Sequence, residues 1–144
     1  MESEIMGRVV VAARIENFED RWEVERGLRP DNDVRSVEIS DALIDTGSTF
    51  LSLPSRLIDS LGLKLTGTRI ANTTQGVRNA NIYGLVRLFV QGRECWSRVA
   101  EVGDNCPVLI GQLPLEELDF VVDPVGQRLL GNPAHGGEQM IELY

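Results

Sequence analysis

The stretch ALIDTGSTFLSLP, residues 42–54, runs three apolar residues into Asp45 and then turns at Thr46-Gly47-Ser48. An isolated ionised carboxylate at the end of an apolar strand is unfavourable unless donors, a charge partner or a shared proton stabilise it. Thr46 and Ser48 offer hydroxyls. Gly47 lets the backbone turn sharply, so that its neighbouring N–H groups face the acid. These residue types predict a carboxylate held in place and partly ionised, the state needed for general acid–base work. The plainer expectation for the same residues is a turn aspartate capping Gly47 and Ser48.

Composition narrows the other chemistries. The only histidine, His135, sits in a Gly-rich tail and is expected to be solvated. A Ser–His or Cys–His pair is therefore not expected. Cys95 and Cys106 lack C-x-x-C spacing and are expected as buried thiols, so neither a zinc site nor any other metal or cofactor is anticipated. Net charge is −8, from 22 acidic and 14 basic residues, and the basic residues are scattered singly. That distribution disfavours nucleic acid and anionic membrane as partners. No stretch approaches the roughly 20 apolar residues of a membrane helix. The opening MESEIMGR lacks a basic-then-apolar leader pattern, so the expected location is cytoplasmic.

The elements that must position Asp45 follow from periodicity. Residues 8–15 alternate, with Val9, Val11, Ala13 and Ile15 on one face of a half-buried strand. Asn17 to Asp33 is charged and broken by Gly27 and Pro30, which predicts a long loop pegged to the body by Phe18 and Trp22; the two are four apart and could form the apolar side of one helical turn. Val34 to Ile44 predicts a second strand that enters the interior at Ala42-Leu43-Ile44. Pro54 opens a short helix with Leu57, Ile58 and Leu61 as its apolar stripe and Gly62 as its stop. Further strands are predicted at Lys64–Ala71, Asn79–Val90, Cys95–Val102 and Val108–Ile110, with a bulge at Gly84. A second short helix spans Pro114–Leu118, and Phe120–Val122 pairs with Arg128–Leu130 across the turn Asp123–Gly126. Met140–Tyr144 could add a terminal strand. Short strands with turns every eight to twelve residues predict one mostly-β barrel or sandwich over 1–144. Its core spans about 8–132, and 132–144 forms a tail.

The segment around Asp45 resembles the active-site segment of retropepsin-like aspartic proteases, in which apolar residues precede Asp-Thr-Gly-Ser or Asp-Thr-Gly-Ala. Val108-Leu109-Ile110-Gly111 is similar to the second signature of that family. QLPLEELDFVVDPVGQRLLGNP resembles the C-terminal helix and hairpin of its bacterial single-domain members, and ANTTQGVRNANIYG stands where the family has its flap. The resemblance runs from about Arg8 to Asn132. It implies a closed acid-protease β-barrel and endopeptidase activity on peptide or protein substrates. Two aspartates would share one proton, one activating water while the other protonates the scissile carbonyl. Asp41, Asp59, Asp104, Asp119 and Asp123 all lack a following Thr-Gly. The resemblance therefore implies a homodimer in which each subunit gives Asp45. Thr46 would reach across the interface, Gly47 would shape the turn, and Ser48 would hydrogen-bond the aspartate. Leu109, Ile110 and Gly111 would pack behind the site. The tip Thr73, Thr74, Gln75 and Gly76 would close over substrate. Glu138–Tyr144 and residues 1–7 are both available for a dimer sheet.

Other readings remain open on the sequence alone. Leu-Ile-Asp-Thr-Gly-Ser-Thr also resembles the first phosphate loop of the actin and sugar-kinase ATPases, where a β-hairpin follows at once and a second domain completes the cleft. A phosphoaspartyl phosphatase would need an acid where Gly47 stands. A retropepsin-like chain can also serve as a dimerisation or peptide-binding module with weak or absent proteolysis.

Overall fold

In a computed structural model, residues 8–144 are described; the expectation for residues 1–7 as a dimer strand lies outside them. Strands β1 (Val10–Asn17), β2 (Ser36–Ile44), β3 (Leu51–Pro54), β4 (Lys64–Thr73), β5 (Gly76–Val90), β6 (Arg93–Val102) and β7 (Leu109–Ile110) form one mixed sheet. Its order is β1-β2-β7-β3-β6-β5-β4, and β1 also pairs with β5. The pairings β1–β2–β7–β3–β6–β5–β1 thus close a ring, which removes most free sheet edges. β4 hangs from β5 outside that ring. A separate hairpin joins β8 (Phe120–Asp123) to β9 (Arg128–Gly131). The expectation of a single mostly-β domain holds.

Alternation built the ring as anticipated. Val9, Val11, Ala13 and Ile15 point inward with Ile82, Val86, Leu88 and Val90 of β5. Ile15, Leu51, Leu53, Ile58, Leu61, Leu88, Ile110 and Leu118 are almost wholly buried. Each such side chain stabilises the fold by about 1.5–3 kcal/mol relative to exposure. The Gly84 bulge is present: the β5–β6 register slips between Tyr83 and Val86.

The structure corrects several local expectations. Asn17 to Asp33 is not a long loop. Helix α1 (Phe18–Glu25) and a 3-10 turn (Asp31–Asp33) occupy it. Asn17 starts α1 by accepting from the Asp20 N–H at 3.0 Å, and its amide donates to the Leu61 carbonyl at 2.8 Å. The spacing of Phe18 and Trp22 marks one apolar turn of α1, and the helix runs one turn further than that pair shows. Ion pairs anchor the segment. Arg14 and Arg21 hold buried Glu16, at 3.0 and 2.9 Å, while Arg35 and Arg29 hold buried Asp20, at 2.8 and 3.3 Å. Buried acids survive only with such partners. Phe18 and Trp22 do stack, with centroids 6.3 Å apart, and Phe18 meets Trp96 edge-on at 4.7 Å.

Among the described residues there are therefore three α-helices, not two: α1, α2 (Ser55–Leu61) and α3 (Gln112–Leu118). The third begins two residues before Pro114, because Pro is accommodated in a first turn that needs no N–H from it. The strand at 51–54 escaped notice because all four residues are buried and show no alternation. Met140–Tyr144 is not a strand in the chain. No helix among the described residues is long and apolar enough to cross a membrane.

His135 is not solvated. Its side chain is 13 % exposed, with Nδ1 2.6 Å from Asp119 Oδ2 and Nε2 3.0 Å from Glu142 Oε2. A neutral imidazole has one N–H and can satisfy only one carboxylate, so this arrangement calls for the imidazolium. Asp119 also accepts from the Met140 N–H (3.0 Å) and from Asn132 Nδ2 (3.2 Å). Arg93 donates to the Leu118 and Asp119 carbonyls at 2.9 and 2.8 Å and to that of Gly137, tying the tail to the end of α3. The hydrogen bonds to Glu142 and then Asp119 raise the pKa of His135 above its ordinary value. His135, foremost among its partners, lowers that of Asp119 to about 2.

A group with a raised folded-state pKa stabilises below its unfolded value and loses that contribution as pH rises through the folded one. The tail contacts are therefore expected to weaken as pH rises above neutral and His135 loses its proton, and again in strong acid as pH falls toward about 2 and Asp119 is protonated. Because the chain has one histidine, a proton NMR titration reads this site alone. The midpoint is expected above about 6.5, and Asp119→Asn is expected to lower it.

Candidate active site

The candidate site begins where β2 stops. Asp45 donates its N–H to the Ile110 carbonyl at 2.9 Å, and its own carbonyl accepts from the Ser48 N–H at 3.0 Å, closing a tight turn. The side chain is gripped on both oxygens: the Gly47 N–H reaches Oδ1 at 3.0 Å, and Ser48 Oγ reaches Oδ2 at 2.9 Å. One donor to each oxygen fixes the plane of the carboxylate. Asp45 is half-buried and not deeply sequestered, while Thr46 and Gly47 are exposed. The turn-cap expectation is thus correct as local geometry. What it leaves out is the packing behind.

That packing comes from the second motif. β7 lies between β2 and β3, parallel to the first with Leu43 beside Leu109 and Ile44 beside Ile110, and antiparallel to the second. Leu43-Ile44-Asp45 and Leu109-Ile110-Gly111 therefore run side by side. Beyond β7 the chain crosses under the acid loop. Gln112 donates its N–H to the Ser48 carbonyl at 2.8 Å, and Leu113 to that of Thr49 at 3.0 Å. The backbones approach so closely that a Cβ on Gly111 would lie 2.7 Å from the Ser48 carbonyl oxygen and closer still to that of Phe50. Only glycine fits there. The hairpin that a phosphate loop would require does not follow, since β7 separates β2 from β3.

The structure does not bring the tip Thr73–Gly76 into contact with these loops by hydrogen bonds. Its bonds are internal: Thr73 Oγ1 donates to the Gly76 carbonyl at 2.6 Å and accepts from the Gln75 N–H at 3.1 Å. β5 pairs with β6 only from Ile82 onward. The residues from Thr68 to Asn81 thus form a two-stranded arm beyond the ring. Ile70 and Val77 stand exposed on it, at 77 % and 71 %. One link ties the arm to the acid loop: the Arg69 guanidinium lies over the Phe50 ring, 5.3 Å from its centroid. Neither residue was singled out in the sequence, where a pair so far apart leaves no local signal.

Cys95 is a buried free thiol, its pKa pushed up to about 12, chiefly by burial; Cys106 is only half-buried. Among the described residues no group of three His, Cys, Asp or Glu side chains is arranged to hold a metal ion. No protein-family model matches the chain, and no curated protein matches it.

Gly111→Ala is expected to destabilise the protein by about 1–3 kcal/mol through overpacking against fixed carbonyls. Urea unfolding followed by circular dichroism measures this. Gly92→Ala, where a Cβ meets nothing within 4 Å, is the comparison, and its own loss reflects only its φ of +81°.

Proposed function

We propose that the chain is a homodimeric aspartic endopeptidase of the retropepsin-like class, with Asp45 of each subunit at the shared centre. The observation that carries this reading is the Asp45 loop itself. Its acid is bound by Gly47 and Ser48, it is seated on the Leu109–Gly111 strand, and it is still open to solvent. A structural acid would be expected to consume its hydrogen-bonding capacity inside the fold. Here each oxygen keeps room for another partner.

Hydrolysis then follows from two such carboxylates brought together. Close like charges cannot both ionise, so the pair holds one proton between them. The ionised member takes a proton from a water as that water attacks the scissile carbonyl. The protonated member gives its proton to the carbonyl oxygen. Gly47 and Ser48 keep the carboxylate planes fixed while charge moves between them. Thr46, exposed in one chain, faces the partner in this arrangement. The arm with its tip at Thr73–Gly76 serves as the flap, and exposed Ile70 and Val77 give it an apolar surface for substrate or partner. An isolated two-stranded hairpin is only marginally stable alone, which suits a segment that opens and closes.

The test is cleavage of a diverse peptide library from acidic to neutral pH, at several protein concentrations. Asp45→Asn is expected to lower the rate by on the order of 10²–10⁴-fold while leaving unfolding unchanged. Wild-type rates are expected to rise faster than linearly with concentration near the dimer dissociation constant. Equal cleavage by both proteins would remove Asp45 from its role. A dimer that cleaves nothing would favour a peptide-binding module.

A further inference from the structure

A groove of about 740 Å³ runs between α3 and the outer faces of β5 and β6. That volume lies in the range of ligand sites. It starts at the end of the Asp45 loop, where Phe50 forms one wall and Leu113, bonded to Thr49, forms the next. Trp96, 53 % exposed, supplies a flat apolar surface along it. The strands bring two cations to the lining, Arg69 and Arg98, and the helix brings Glu116 and Glu117.

In a chain of net charge −8, six other arginines are engaged by carboxylates: Arg14, Arg21, Arg29, Arg35, Arg87 and Arg128. Arg69 and Arg98 have no carboxylate partner among the described residues. Arg26, Arg56 and Arg78 also form no ion pair among the described residues, but this groove brings two such cations, Arg69 and Arg98, to one lining. Arg69 lies over the Phe50 ring instead, 5.3 Å from its centroid. Glutamates on the helical side repel a second acid there. The groove thus suits an extended segment with apolar side chains and a carboxylate on the strand side.

We propose that this groove is an accessory peptide site that selects acidic, apolar segments, with Arg69 and Arg98 binding the carboxylate and Trp96, Phe50 and Leu113 the apolar side chains. It rests on the peptidase reading only for the source of the peptide, a substrate segment running on from the Asp45 centre. Arg69 and Arg98 are specificity residues that take no part in bond cleavage.

Binding is measured in the full-length Asp45→Asn protein, so that cleavage does not enter. The probes are two dye-labelled heptapeptides with blocked C-termini, QQMIELY and its counterpart with the glutamate replaced by glutamine. The first has the required composition, and Ile141 of the chain's own copy already borders the groove. Fluorescence anisotropy is expected to show tighter binding of the acidic peptide. Arg69→Gln and Arg98→Gln are each expected to weaken it about three- to tenfold and to leave the amide peptide unchanged. Arg69→Lys, which keeps the charge, should retain part of the selectivity, and matching thermal melts exclude misfolding. Equal binding of both peptides, binding of neither, or indifference to both Gln variants overturns the proposal. Acid-selective binding by a wild type that cleaves no peptide would leave the groove standing and remove the peptidase. Cleavage without acid preference would do the reverse.

Discussion

The site depends on a two-residue strand. Leu109 and Ile110 form β7, which fits between β2 and β3 and receives the Asp45 N–H on the Ile110 carbonyl. Without that insertion β2 and β3 would each lose the neighbour on one side, β2 keeping β1 and β3 keeping β6, and the Asp45 loop would end on unpaired backbone groups. Unpaired polar backbone is costly inside a protein, so the loop's conformation is fixed by the whole ring and not by its own turn. Gly111 is the hinge of this arrangement, since the crossing under Ser48 and Phe50 leaves no room for a side chain.

Much of this was legible in the sequence. Strand alternation in 8–15 identified an inward face, and Pro54 with Gly62 bounded a helix that the structure places at Ser55–Leu61. Gly47 and Ser48 donate to Asp45 as read from the sequence, while Thr46, whose hydroxyl was read the same way, donates no bond to it. These signals are local: each depends on residue types a few positions apart.

What escaped was held by contacts far apart in sequence. α1 is written in charges, and its stability comes from Glu16 and Asp20 meeting arginines from β1, from α1 itself and from the chain leading into β2. His135 looked like a loose tail residue because its partners, Asp119 and Glu142, lie 16 and 7 positions away. The flanking glycines that suggested freedom serve the turn: Gly136 and Gly137 both have positive φ, at 66° and 82°. Strand β3 lacked alternation because both its faces are covered.

Under the proposed reading, the chain carries half a catalytic centre, and symmetry completes it. The most direct measurement mixes wild type with Asp45→Asn at fixed total concentration, after subunits have exchanged, and follows peptide cleavage against the wild-type fraction. If both acids of one centre come from two chains, mixed dimers are inactive and the rate falls with the square of that fraction. A linear fall would show that each chain works alone, and the account of a shared centre would be wrong.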